Sequence, residues 1–256
     1  MPQGFGSKFM VNRLNSYLEK LNSLSNWEDF LLAESGLPGP RGNLELASAV
    51  AQAGDETCFR KLIAAYMPAE SGTANEFLPF CGLVGLGKLV ADGDHQYLPL
   101  LRQFASDPHW RLREASAIAL QAWGARDLPA LLDEMEAWCR GGLLEQRAAL
   151  AALCEPALLK KPGEAKRVLG LLDRVTVGLA GGKDRKNEDF RVLRKGLAYC
   201  WSVAVAALPE VGKPIMEKWF ASPDEDVRWV MKENLKKNRL ARMDKVWVEQ
   251  WTNRLK

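Results

Sequence analysis

The chain has little of what most catalytic and metal centres are built from. Its 256 residues include two histidines, His95 and His109, too few and too isolated for a zinc ligand set. No metal is expected. The five cysteines, Cys58, Cys81, Cys139, Cys154 and Cys200, are odd in number, are never spaced C-x-x-C and sit among apolar residues. This excludes a disulfide framework and predicts buried free thiols in a reducing, cytoplasmic setting. No Asn-Gly or Asp-Gly turn joins alternating apolar runs, so hairpin signals are missing. No apolar run approaches the roughly 20 residues of a membrane span. The N-terminal stretch lacks the long apolar core and small-residue cleavage site of a secretory signal. No membrane partner follows from either. Nothing resembles a Ser/His/Asp or Cys/His nucleophile system, and no cofactor is expected.

One stretch does imitate a nucleotide site. From Gly82 to Lys88, Cys81-Gly-Leu-Val-Gly-Leu-Gly-Lys-Leu89 reads G-x-x-x-x-G-K. A phosphate-cradling loop also needs a preceding strand and a Ser or Thr after the lysine. Here Asn75-Glu-Phe-Leu-Pro-Phe80 precedes and Leu89 follows, so the stretch is read as a helix.

What is present is helical periodicity from end to end, with Gly, Pro and Asp between segments. Ser25-Asn-Trp-Glu28 has the form of a capping box. Ser106-Asp-Pro108 and Ser222-Pro-Asp224 place polar caps and an early proline before apolar-periodic segments. Arg174-Val-Thr-Val-Gly178, the nearest approach to a strand, continues a helical pattern. The segments also resemble one another. Leu112-Arg-Glu-Ala-Ser-Ala-Ile-Ala-Leu120, Gln146-Arg-Ala-Ala-Leu-Ala-Ala-Leu-Cys154, Leu193-Arg-Lys-Gly-Leu-Ala-Tyr-Cys-Trp201 and Val227-Arg-Trp-Val-Met-Lys-Glu-Asn-Leu235 each carry an arginine second. Those arginines, Arg113, Arg147, Arg194 and Arg228, are separated by 34, 47 and 34 residues. The longer interval contains the polar Ala180-Gly-Gly-Lys-Asp-Arg-Lys-Asn-Glu-Asp189, read as an inserted loop. Second helices fall between, at Leu128–Met135 and Ala165–Leu179. A period near 34 with two helices per unit predicts an α-solenoid, each pair burying its apolar face against its neighbours. In that register Gly82 and Gly85 occupy the small slots filled by Ser116 and Ala119.

Asp107-Pro-His-Trp-Arg-Leu-Arg113, followed by Ala115, Ala119 and Leu120, resembles the HEAT repeat in its short bacterial form. In that family an Asp and an Arg near the start of one helix form a ladder between neighbouring repeats, and the resemblance puts Asp107 and Arg113 in those places. Ser222 replaces the Asp in the last unit, while Arg228 is kept. The resemblance covers roughly residues 40–256. It implies an all-α, single right-handed solenoid domain over residues 1–256, with about five to six antiparallel HEAT-like helix pairs. Residues 1–35 would cap it, and an insertion would interrupt it near 180–189.

Net charge is +3 but divided. Residues 1–159 hold 13 Lys/Arg against 19 Asp/Glu, and residues 160–256 hold 22 against 13. A basic half suits an anionic partner. Arg228, Lys232, Lys236 and Arg239 step by four, four and three, which on one helix would make a stripe bordered by Trp229. Val227, Val230, Met231 and Asn234 would face the other way. Arg191, Arg194 and Lys195, with Lys183-Asp-Arg-Lys186, extend the basic region. The expected function is a non-catalytic scaffold binding another protein on its concave face. The alternative is nucleic-acid binding through the basic half, where cations beside an aromatic suit phosphate contacts with stacking. A second alternative comes from similarity to DNA alkylation repair glycosylases built of HEAT-like repeats, which use a carboxylate with nearby tryptophans. It confines itself to Glu114 and Trp110, four apart, and departs from that family in having Glu for Asp. In the turn Leu37-Pro-Gly-Pro-Arg-Gly-Asn43, Arg41 and Asn43 are placed either to join a helix to the array or to meet a ligand.

Overall fold

The computed structural model describes residues 5–67 and 72–255, with side chains from residue 12 onward. Among these the chain is all-α, with no strand. The helices pack mostly against their sequence neighbours, in two compact units, residues 1–123 and 124–256.

The first unit contains α1 (Phe5–Ser23), α2 (Glu28–Glu34), α3 (Leu44–Ala53), α4 (Glu56–Ala64), α5 (Phe77–Ala91), α6 (Leu98–Ala105) and most of α7 (Trp110–Arg126). Asn43 and Asp55 cap α3 and α4, their side chains accepting the Leu46 and Cys58 N–H groups at 3.0 and 2.8 Å. Such caps satisfy donors that a helix start leaves orphaned. The capping box expected at Ser25 does not form. α2 begins only at Glu28, whose carboxylate is drawn 2.7 Å from Lys61 Nζ, and Trp27 donates its indole N–H to the Leu21 carbonyl.

At the centre lies α5, with α2, α3 and α4 against it. The stretch Cys81–Leu89 is therefore a helix. The segment Ala74–Ala91, which contains α5, is long and apolar enough to cross a bilayer, but 72% of it is buried inside the protein. A helix that is apolar all round belongs in a core. Its glycines make the close packing possible. A Cβ at Gly85 would lie 2.3 Å from the Phe59 ring, and one at Gly82 2.7 Å from the Phe59 carbonyl oxygen. These are the two small slots the repeat register assigns. Gly87, outside those slots, is equally tight: its Cβ would lie 2.4 Å from the Ala119 Cα on α7.

The second unit contains α8 (Leu128–Trp138), α9 (Leu143–Leu153), α10 (Pro162–Ala180), α11 (Glu188–Ala207), α12 (Pro209–Phe220), α13 (Glu225–Leu235), α14 (Asn238–Met243) and α15 (Lys245–Arg254). Arg174–Gly178 lies within α10. Here the packing alternates. α11 lies between α9 and α13, and α10 lies between α8 and α12. Trp138, Phe190 and Trp201 are fully buried between these rows. The Trp201 indole N–H finds the Thr176 hydroxyl at 3.1 Å, so a large apolar ring is buried without an orphaned donor.

α10 also carries Gly170 and Gly178 in exposed positions, where an added Cβ would meet nothing within 4 Å among the described residues. Neither glycine is needed for close approach. Gly170→Ala and Gly178→Ala should each raise stability by about 0.5–1 kcal/mol through helix propensity alone. Urea denaturation of each variant checks this.

Candidate functional site

The four repeat arginines find different uses. Arg113 Nη1 donates to the Asp107 and Pro108 carbonyls at 2.6 and 2.8 Å. Arg228 Nη1 does the same to Ser222 and Pro223 at 3.1 and 2.7 Å. Each thus folds back on carbonyls six and five residues earlier, closing the turn before its own helix. Arg194 instead reaches the following helix. It pairs with Asp226 at the start of α13, and its guanidinium lies 4.3 Å from the centre of the Trp229 ring. On α11, Gly196 leaves room for the Arg147 side chain, whose Cγ would be 3.3 Å from an added Cβ.

Of the expected basic loop, Arg185 is anchored. It donates to Asp224, to Asp226 at 2.6 Å and to the Ala180 carbonyl at 3.1 Å. Asp224, the second polar residue of the expected Ser222-Pro-Asp224 start, is the N-cap of α13. Its carboxyl is held below the ordinary aspartate range, chiefly by Arg185, with the Val227 N–H adding to the effect. A carboxyl lowered in the fold contributes stability present above the ordinary range and lost as pH falls through its folded value. Arg185→Gln removes most of that contribution. Between about pH 5 and pH 2 the wild-type urea midpoint should therefore fall further than that of Arg185→Gln. Parallel curves would contradict this account of Asp224.

The stripe expected across Arg228, Lys232, Lys236 and Arg239 is divided. α13 ends at Leu235, and Arg239 belongs to α14. The chain turns there because Leu240 is carried into the core, where it is fully buried. Arg239 lies 4.5 Å from the centre of the Tyr199 ring on α11, and its Nη2 donates to the Tyr199 hydroxyl at 2.7 Å. Lys232 and Lys236 line a cleft towards α15 instead. Asn234 is buried with Val227, Val230 and Met231, as the pattern predicts. Its side chain accepts the Ser202 N–H at 2.8 Å and donates to the Leu197 carbonyl at 2.9 Å, tying α13 into the backbone of α11.

Arg191 makes a 3.5 Å contact with Glu188, and Lys236 pairs with Glu233. Lys195 and Lys232 are exposed and have no ion pair or hydrogen bond among the described residues. The face that results on α11 has Lys195, the half-exposed Tyr199 under Arg239, and the Arg194–Trp229 stack at its border.

The first unit holds a polar cluster that sequence reasoning missed. His109 Nδ1 is 2.8 Å from Asp107 Oδ1, and the Tyr66 hydroxyl is 2.8 Å from Asp107 Oδ2 and 2.9 Å from His109 Nδ1. Burial and the neighbouring Asp107 push the Tyr66 hydroxyl up in pKa. Tyr66 is 41 residues from Asp107, so no local spacing announces the group. Beside it the buried Glu76 accepts from Arg111 at 3.1 Å and from the Gly72 N–H at 2.6 Å, and Arg111 also donates to the Gly39 carbonyl. Trp110 is 46% exposed, with the Arg111 guanidinium 4.6 Å from its ring centre. Glu114 is half-buried four residues on. Asn43 is taken up capping α3 and donating to the Tyr17 hydroxyl, whereas Arg41 is exposed. All five cysteines are free. Four are buried, Cys58 is half-buried, and burial pushes Cys139 up to about 12. Among the described residues no group of His, Cys, Asp and Glu is placed to hold a metal ion.

Comparison of the chain with protein-family models, curated proteins and solved structures finds no match.

Proposed function

We propose that this chain is a non-catalytic HEAT-like α-solenoid scaffold that binds another protein, with the α11 face as the contact surface. The solenoid reading is supported by the alternating rows of the second unit and by the identical fold-back of Arg113 and Arg228. The observation that carries the functional reading is Tyr199, which is 42% exposed yet pinned by Arg239. An amphipathic ring that is already immobile loses little entropy on binding, and Tyr and Arg are the residue types that dominate protein interfaces. Lys195, one turn earlier and unpaired among the described residues, selects a partner with a carboxylate beside the pocket that takes the ring.

Nucleic-acid binding is the second reading, favoured by 22 cations against 13 acids in residues 160–256. It needs several cations free to neutralise phosphates. Yet Arg185 and Arg194 are committed to Asp224 and Asp226 and Lys236 to Glu233, so that among the basic residues of the loop and the stripe Lys183, Lys186, Lys195 and Lys232 are the lysines without an ion pair among the described residues. That commitment favours the protein partner.

Retention of a partner from cell lysate on immobilised protein tests the proposal. Lys195→Glu combined with Tyr199→Ala should weaken retention about a hundredfold while leaving thermal stability nearly unchanged. Equal retention by the variant, or affinity for a single-stranded oligonucleotide that falls steeply with salt, would overturn it.

A further inference from the structure

The cleft between α13 and α15 stands apart from the α11 face and does not depend on the reading given to it. It measures about 310 Å³ and is lined by Lys232, Leu235, Lys236, Thr252 and Leu255, near the lower end of small-molecule sites (about 300–1,000 Å³). Its composition is divided. Leu235 and Leu255 supply its apolar lining. Lys232 on α13 and Lys236 at its C-cap line the cleft together with Thr252. Among the described residues Lys232 has no ion pair, Lys236 has only the exposed contact with Glu233 three residues earlier, and no acidic residue lines the cleft.

Two ammonium groups and a hydroxyl beside a leucine-lined recess suit a ligand with one anionic end and one hydrocarbon end. Long lysine side chains lay their methylenes on apolar surface while keeping the charge at the rim. A head group that bonds both lysines and the hydroxyl gains charge-assisted hydrogen bonds. At about 30 Å³ for each water-sized group, the volume accommodates on the order of ten such groups. We propose that this cleft binds a free medium-chain carboxylate, its head on Lys232, Lys236 and Thr252 and its chain against Leu235 and Leu255. A recess of this size matches one short chain and not the surface of a bilayer.

Calorimetric titration of the full chain with decanoate, below the concentration at which it forms micelles, tests this. Decanoate should bind with one-to-one stoichiometry, decanol about tenfold or more weakly, and acetate not measurably. Lys232→Gln with Lys236→Gln should lower decanoate affinity about tenfold and leave decanol affinity unchanged, whereas Leu255→Asp should abolish both. Lys232 and Lys236 are exposed, so the circular dichroism melting curve of their double variant should overlay that of the wild type. The proposal is overturned by absent or non-saturable decanoate binding, by decanol binding as tightly, or by indifference to the lysine substitutions. Binding to phosphatidylserine vesicles without binding free decanoate would assign the lysines to a membrane surface and equally overturn it.

Discussion

Gly87→Ala should destabilise the chain by about 3 kcal/mol, although alanine is the better helix former by about 1 kcal/mol. The added methyl would lie 2.4 Å from the Ala119 Cα and 2.8 Å from its carbonyl oxygen. Those are backbone atoms of α7, so no side chain can rotate away, and the two helices must separate. Gly85→Val should behave similarly, its Cβ meeting the ring of the fully buried Phe59 at 2.3 Å. Urea denaturation checks both. If Gly87→Ala were as stable as the parent, α5 and α7 would not meet at this point.

Asn234→Leu is expected to cost about 2–4 kcal/mol, since each buried polar group left unsatisfied costs about 1–3 kcal/mol. Leucine is close to asparagine in size, so the change leaves little void. It removes the acceptor for the Ser202 N–H and a donor for the Leu197 carbonyl, both in the interior. For a chain of this length, such a loss is a fall of roughly 5–15 °C in Tm. A Tm within about 2 °C of the wild type, too small a shift for a loss of that size, would mean that these backbone groups find other partners.

Some of this was legible from residue order and some was not, for identifiable reasons. Helix type and sequence were readable wherever apolar residues recur every three or four positions, as in α8, α10 and α13. The glycine-rich α5 was readable too, because the helix carrying Ser116 and Ala119 supplied a template for Gly82 and Gly85. Gly87 lay outside that template, since its neighbour comes from the crossing of α7, which no local pattern encodes. The break between α13 and α14 was hidden for a related reason. Lys236-Lys237-Asn238 contains neither glycine nor proline, and the turn exists so that Leu240 can enter the core. A stripe drawn through Arg239 therefore joined residues that belong to two helices and two surfaces.

The candidate site was legible as charge but not as availability. Sequence counts the cations; it does not show that Arg185 and Arg194 converge on Asp226 from different elements. Nor does it show that Tyr199, 40 positions from Arg239, is the aromatic that remains exposed beneath it. The Tyr66–Asp107–His109 cluster is non-local in the same way.

Photo-crosslinking from position 195 tests the central claim most directly. With a benzophenone side chain in place of Lys195, the proposed scaffold should yield a discrete protein adduct in lysate. The adduct should resist nuclease and disappear when Tyr199→Ala is added. No adduct, or one that nuclease removes, would contradict the claim that this face of α11 binds a protein.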